Sequence, residues 1–391
     1  MSRALIPATC LVLAGLAPLA SAQAGDWQLD AYADQRFEAE TNRTLSQSSD
    51  PIYGSISTLG LGLVYDQQDL VWTLDSDVSG LYYVGPGDTA GLRRADPGVA
   101  TALVYSQPRL TLESGGSFDI RPTAFTQVED TGLTDEATAQ LNTEAFAAAS
   151  YDVDPRNQIS LAGDASIIRF LDDVDSLTPT TIYGANARWD RLVNARTDAN
   201  LSFGVRRFTA DNEAASSSLI FNGSVGGGYR VSPRFWLMGQ SGLNAIRTRQ
   251  DEDSSRETDL SVGFSGNAEA TWLATPRTDL TLEVSQSVEP SSFGELQNLS
   301  SAGLLVAHDV NSKTTLLLRT NYSRRASTGG YQDNDTNRQL FEVDPTVDLR
   351  LTQSWRAKLG YNLDLNRFQG ESLVSNHTVF MGLSFNWDVI P

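Results

Sequence analysis

"TDLSVGFSGNAEATWLA" (residues 258–274) reads as one long extended segment. Leu260, Val262, Phe264, Ala268, Ala270 and Trp272 fall on one face. Asp259, Ser261, Ser265, Asn267, Glu269 and Thr271 fall on the other. A period of two with charge confined to one side is the pattern of an amphipathic β-strand. The stretch alone leaves open whether its apolar side meets a protein core or lipid.

The rest of the chain decides that question. Leu70, Trp72, Leu74, Val78, Tyr82 and Val84 repeat the pattern, as do Trp355, Ala357, Leu359, Tyr361, Leu363 and Leu365. Eighteen such segments can be read from 27–38 to 377–387, with the register left open at 97–106 and 300–309. The connections alternate in length. Short ones include Gln107-Pro108, Asp152–Pro155, Ser232-Pro233, Ala274–Pro276 and Thr352-Gln353. Long polar ones include 39–55, 85–96, 121–136, 171–180, 248–257, 290–299, 325–338 and 368–376. Sorting by parity is expected of a transmembrane barrel, whose periplasmic turns are tight and whose external loops are long. An even strand number also returns both termini to the periplasmic side.

Aromatic placement supports the same reading. Tyr65, Trp72, Tyr151, Trp189, Tyr229, Trp272, Trp355 and Trp387 lie near the short-turn ends of their segments, mostly on the apolar face. Rings with an apolar body and a polar tip collect at membrane interfaces. Hydrocarbon offers no hydrogen-bond partner, so spanning strands must close into a cylinder. The fold expected is therefore all-β: a single transmembrane antiparallel barrel of about eighteen strands over residues 25–391, with no stretch left for a plug.

Residues 1–24 read as a signal peptide. Arg3 precedes an apolar run from Ala4 to Leu19, and cleavage motifs end at Ala22 or Ala24. Cys10, the sole cysteine, falls inside this removable segment, so the mature chain is expected to have no thiol or disulfide chemistry. Past the leader, 28 basic residues face 48 acidic ones, a net charge of −20. Such a balance argues against a nucleic-acid partner. No apolar run of helix-spanning length follows the leader.

The site census expects no enzyme, no cofactor and no metal. His308 and His377 are the only histidines, and Ser375 beside His377 has no third partner in view. "GSVGGGY" (223–229) lies within a strand and opens no helix. "DNDTNR" (333–338) has calcium-loop spacing, but Arg338 stands where glycine is needed; like "DEDSSRE" (251–257), it reads as a solvated loop.

The pore wall is the expected functional surface. Inward acids are expected at Asp75, Asp77, Asp164, Asp259, Glu269, Glu283, Asp348 and Asp364. Counter-charges are expected at Arg169, Arg188, Arg206, Arg319, Arg356 and Lys358. Such charges set selectivity through their field. Trp236 and Phe208, if inward, would offer stacking surfaces for sugar rings.

The turn motifs "SPRFWL" (232–237), "TPRTDLTLE" (275–283), "QPRLTLE" (107–113) and "NARTDANLSFG" (194–204) resemble those of the β-barrel porin type 2 family. That resemblance implies a Gram-negative outer-membrane location and a pore for small solutes or a polysaccharide. It also brings two alternatives: a dedicated exopolysaccharide export conduit with periplasmic partners, and a non-conducting adhesive barrel acting through its external loops. Implied partners are outer-membrane lipid and lipopolysaccharide, the barrel-assembly machinery and periplasmic polysaccharide-export proteins. "VFMGLSFNW" (379–387) resembles the C-terminal signal read by barrel-insertion machinery, with Asp388–Pro391 expected to overhang it.

Overall fold

The computed structural model describes residues 25–43, 45, 51–85, 93–123, 138–172, 177–211, 217–252, 255–290, 296–327, 337–368 and 372–390. The leader and Cys10 lie outside these residues, as does most of the 333–338 motif. Side chains at 250–259 are likewise outside, Asp259 and the 251–257 motif among them.

The alternating segments form eighteen strands: β1 (Asp26–Glu40), β2 (Ile52–Gln67), β3 (Leu70–Val84), β4 (Arg93–Gln107), β5 (Leu110–Pro122), β6 (Ala139–Asp154), β7 (Asn157–Phe170), β8 (Thr180–Asn194) and β9 (Thr197–Ala210). They continue as β10 (Ser217–Ser232), β11 (Phe235–Glu252), β12 (Ser255–Thr275), β13 (Thr278–Pro290), β14 (Leu296–Asn311), β15 (Thr314–Ser327), β16 (Arg338–Arg350), β17 (Trp355–Phe368) and β18 (Val374–Ile390). Every strand pairs antiparallel with its chain neighbours, and β1 pairs with both β2 and β18, so the sheet closes on itself. Strands spaced about 4.8 Å apart and tilted about 40° give, for eighteen of them, a backbone cylinder on the order of 36 Å across. That is too wide for side chains to fill.

Burial is inverted relative to a soluble protein. Leu260 and Val262 are 69% and 70% exposed, whereas Ser224 and Asn244 are only 7% and 5% exposed. Register assigns these to opposite faces throughout: Leu243 opposes Phe264 on one, and Asn222 opposes Asn244 on the other. The apolar face looks outward and the polar face lines the lumen.

One end of the barrel is built from repeated turns. Two-residue connections join seven hairpins, at 68–69, 108–109, 155–156, 195–196, 233–234, 276–277 and 312–313. In most, a short polar side chain at the strand end accepts from the backbone N–H two residues on: Asp154 from Arg156, Asn194 from Arg196, Ser232 from Arg234, Thr275 from Arg277 and Asn311 from Lys313. These local bonds close the turn without help from the rest of the fold. The carbonyls of Arg109, Arg156, Arg196, Arg234, Arg277 and Lys313 then accept from the strand two places along, at 2.7–2.8 Å, tying each hairpin to the next. The first residue of β1 and the last of β18 lie at this rim.

The segments expected at 97–106 and 300–309 form β4 and β14. Two expectations are corrected, one at the other rim and one at the C-terminus. Residues 248–257, expected as a loop, continue the β11–β12 ladder to Glu252 opposite Ser255. Of the residues expected to overhang Trp387, 388–390 belong instead to β18, with Asp388 opposite Asp30 and Ile390 opposite Leu29, and Pro391 lies outside the described residues.

Candidate functional site: the lumen wall and its narrowing

Pairing parity places the inward side chains strand by strand. Asp75 and Asp77 on β3, Asp164 on β7, Arg188 on β8 and Arg206 on β9 share the polar face. So do Glu269 opposite Glu283, Arg319 opposite Asp344, Asp348 opposite Lys358, Arg356 opposite Ser384 and Asp364 opposite Glu342. Arg169 does not. It follows Leu161 and Ile167 on the outward face, opposite Leu141, one residue from the end of β7. Its guanidinium donates to the carbonyls of Ile168 and Thr180 and to Thr181 Oγ1, which keeps it at the rim. A charge reads as a sign of an inward position, but at a strand end the outward face holds arginine through backbone carbonyls.

The eight aromatics expected at the interface face outward near the short-turn rim. Tyr65 opposes Trp72, Tyr151 opposes Ile159, and Trp189 opposes Leu201. Tyr229 opposes Leu237, Trp272 opposes Leu280, and Trp355 opposes Phe385. Trp387 opposes Ala31 and is 59% exposed. Trp27, Tyr65 and Trp72 form a ring cluster at 4.7 and 6.1 Å between centroids.

Many inward charges escaped the sequence reading. β1 alone presents Asp30, Asp34, Arg36, Glu38 and Glu40 to the lumen. Carrying the same parity rule through 27–40 would have found them. Each of β1–β7 carries an inward acid, including Asp66, Asp96, Glu113 and Glu144. Arg36, Arg94 and Arg121 in this arc are each paired, with Glu38, Asp96 and Asp119 at 2.9, 2.5 and 2.9 Å. The arc is therefore left strongly negative. Across β15–β17 the balance tips the other way, with Arg319, Arg325, Arg338, Arg350, Arg356 and Lys358 against Glu342, Asp344, Asp348 and Asp364. Between the two, β9–β12 hold a neutral ladder. Gln240 donates to Ser202 at 2.8 Å and to Ser224, and Asn222 donates to Asn244 and Ser265 at 2.6 and 2.9 Å.

Inward aromatic rings lie flat on the wall. Tyr32, Tyr83, Phe146 and Phe380 each oppose a glycine: Gly60, Gly54, Gly115 and Gly360. A Cβ at Gly60 would stand 2.2 Å from the Tyr32 ring, and one at Gly360 2.2 Å from Phe380. Glycine is what lets these rings fold down instead of reaching across the water.

The lumen narrows at the long-loop end. β12 pairs with β13 only as far as Gly266–Gln286, although β12 continues to Ser255 beside β11 and β13 continues to Pro290 beside β14. Beyond that point Val288 and Leu296 join one buried cluster with Phe208, Ala210, Ile220 and Ile246. The last four face inward from β9, β10 and β11. Val288 lies on the outward face of β13 by parity, so the top of the β13–β14 hairpin has left the wall. It lies inside the barrel with its outer side against the inner side of β9–β12. Gly263 leaves room for it: a Cβ there would meet Val288 Cγ2 and Asn298 Oδ1 at 4.0 Å. Phe208 is 2% exposed beneath the hairpin and offers no stacking surface to a solute. Trp236 faces inward near the opposite rim, opposite Arg230.

A second packed cluster stands on β1–β3 at the same end. Arg43 binds Glu38 and Glu40 at 3.2 and 2.7 Å and lies over the Tyr83 ring, whose hydroxyl donates to Glu38. Ile52 and Leu81 pack beneath. His308 Nδ1 lies 2.9 Å from Thr278 Oγ1, and His377 Nδ1 lies 2.7 Å from Tyr361 Oη.

No family model matches the chain, and no curated protein does, so the narrower resemblance to type 2 porins gains no support. Solved structures of similar architecture include OpdQ of Pseudomonas aeruginosa, at 10% identity and a TM-score of 0.47, covering 93% of this chain and 99% of that one. OpdK of Pseudomonas aeruginosa, solved with vanillate, matches at 13% identity and a TM-score of 0.48, with coverage of 93% and 99%. OccAB2 of Acinetobacter baumannii matches at 9% identity and 0.48, with coverage of 93% and 98%.

Proposed function

We propose that this barrel is an outer-membrane pore, conducting small polar solutes through a water-filled lumen that is narrowed by the β13–β14 hairpin and prefers cations. The observation that carries the reading is the inverted burial of a closed sheet: apolar side chains outward on every strand, acids inward. The shortest strands have 13 residues, more than the nine to eleven that cross a hydrocarbon core. The unpaired acids of β1–β7 outweigh the small basic surplus of β15–β17, so the wall's field favours cations. No feature of the described wall favours a polymer conduit.

Reconstitution in planar bilayers tests the reading. Ohmic channels more permeable to potassium than to chloride are expected. Asp75→Asn with Asp77→Asn should lower that ratio by about two-fold, and Arg356→Gln with Lys358→Gln should raise it. A barrel that inserts but stays silent would leave the non-conducting alternative standing instead.

A further inference from the structure

The outward face holds a charge pattern that a pore does not require. The chain has 48 acidic residues against 29 basic ones. Yet among strand residues with described side chains, pairing puts one acid on the outward face, Asp154 opposite Asn157 at the short-turn rim, and none at the long-loop rim. Arginine does appear on that face, and mostly at the long-loop rim.

Two patches share one plan. On β9–β11, Arg207 and Arg247 both oppose Leu219, one from each side. Their backbones are therefore two strand spacings apart, about 10 Å. Arg249 stands in the next row, opposite Ser217. On β15–β17, Arg324 and Arg367 both oppose Gln339. Arg207 and Arg247 form no ion pair or hydrogen bond with a described residue, and Arg324 reaches only Asn337 Oδ1, at 3.4 Å. Beneath the first patch, toward mid-strand, lie Phe203, Phe221, Leu243 and Val262, all half or more exposed. Beneath the second lie Tyr322, Phe341 and Leu365. Each patch thus sets paired guanidinium groups directly above a lipid-facing apolar surface. Described acids near the first patch, Asp172 and Asp211, lie beyond the strand ends, and Asp172 is held by Thr138.

We infer that these two patches bind the phosphate groups of a phosphorylated glycolipid headgroup in the outer leaflet, of the lipid A kind, with its acyl chains on the apolar surface below. Guanidinium forks match phosphate oxygens two at a time, and such charge-assisted bonds strengthen at a dry interface. Acids beside the patches would repel the same ligand, and among the described strand residues none faces outward at that rim. Simple snorkelling of arginine to any interface would populate both rims alike. At the short-turn rim the outward strand cation is Arg191, and the turn arginines there stand among Asp152, Asp154, Asp190 and Asp279. The inference rests on the membrane-spanning reading above.

The test uses the full mature barrel, refolded into vesicles containing bisphosphorylated lipid A and then extracted in mild detergent. Lipid retained per barrel is measured by native mass spectrometry. Arg207→Gln with Arg247→Gln, and Arg324→Gln with Arg367→Gln, should each cut retention by about ten-fold at one of two sites. Arg191→Gln should leave it unchanged, and dephosphorylated lipid A should be retained no better by wild type than by the variants. Full retention by both double variants would overturn the inference, as would equal retention of phosphatidylglycerol alone. Heat-modifiable mobility and conductance are recorded on the same samples. A folded, conducting variant that keeps its lipid sinks this inference only, whereas a wild-type chain that fails to insert sinks the pore.

Discussion

The two rims of the barrel are built by opposite means. At the short-turn rim most hairpins are closed by a side chain bonding two residues along, as Thr275 does to Arg277, and tied to the next by a turn carbonyl. At the long-loop rim the ends are set by residues far apart in sequence. Phe208, Ile220, Ile246, Val288 and Leu296 meet in one cluster, and Tyr83 donates to Glu38 beneath the Arg43 guanidinium. One rim is a sum of local units; the other is a tertiary structure inside the barrel. Among the described residues, only there does a wall element leave the wall.

The largest expected effect breaks that second rim. Val288→Asp places an ionised carboxylate among Phe208, Ile220 and Ile246, a cost on the order of several kcal/mol for an unpaired buried charge. The hairpin should swing out, since β13 has no ladder to β12 beyond Gln286 to hold it. Single-channel conductance should then rise by about two-fold or more, with the folded barrel still resistant to heat in a gel. Val288→Ala should shift it far less. Unchanged conductance in the Asp variant would show that the narrowing lies elsewhere.

How much of this was legible follows the same division. The faces of 258–274 could be read directly, because an alternating strand declares its two sides residue by residue. The short turns could be read from Pro-Arg steps. Val288 could not be placed: alternation puts it outward, and its contact with Phe208 spans eighty residues of chain with no local mark. Arg169 misled for a related reason. Charge reads as a sign of the lumen, yet at a strand end backbone carbonyls can hold an outward guanidinium, as those of Ile168 and Thr180 do. Residues 248–257 read as a loop because they are polar, but strand pairing needs no apolar face.

The seam between β1 and β18 offers a smaller effect and bears on how the turn rim is closed. Removing residues 388–391 deletes the pairings of Asp388 with Asp30 and Ile390 with Leu29. Trp387→Ala keeps those pairings and removes one exposed ring. Truncation should lower the fraction of heat-resistant barrel at equilibrium, whereas Trp387→Ala should slow assembly into vesicles and reach the same final fraction. If truncation changes neither quantity, the seam is held by the pairs above Trp387 and the tail is dispensable.

The smallest effect tests whether the turn rim is truly a set of independent units. Asp154→Ala removes the bonds to the Arg156 N–H and to Asn157, at 2.7 and 2.8 Å, but leaves the Arg156 carbonyl accepting from Leu192. Thr275→Ala does the same at the β12–β13 turn. Each bond is exposed, so its loss should cost about 1 kcal/mol or less, read as a small drop in the urea midpoint with unchanged cooperativity. The double variant should lose the sum of the two, because the turns lie several strands apart and share no partner. Clear non-additivity would mean that the carbonyl ties carry strain around the rim, and that this end too is a tertiary structure despite its local bonds.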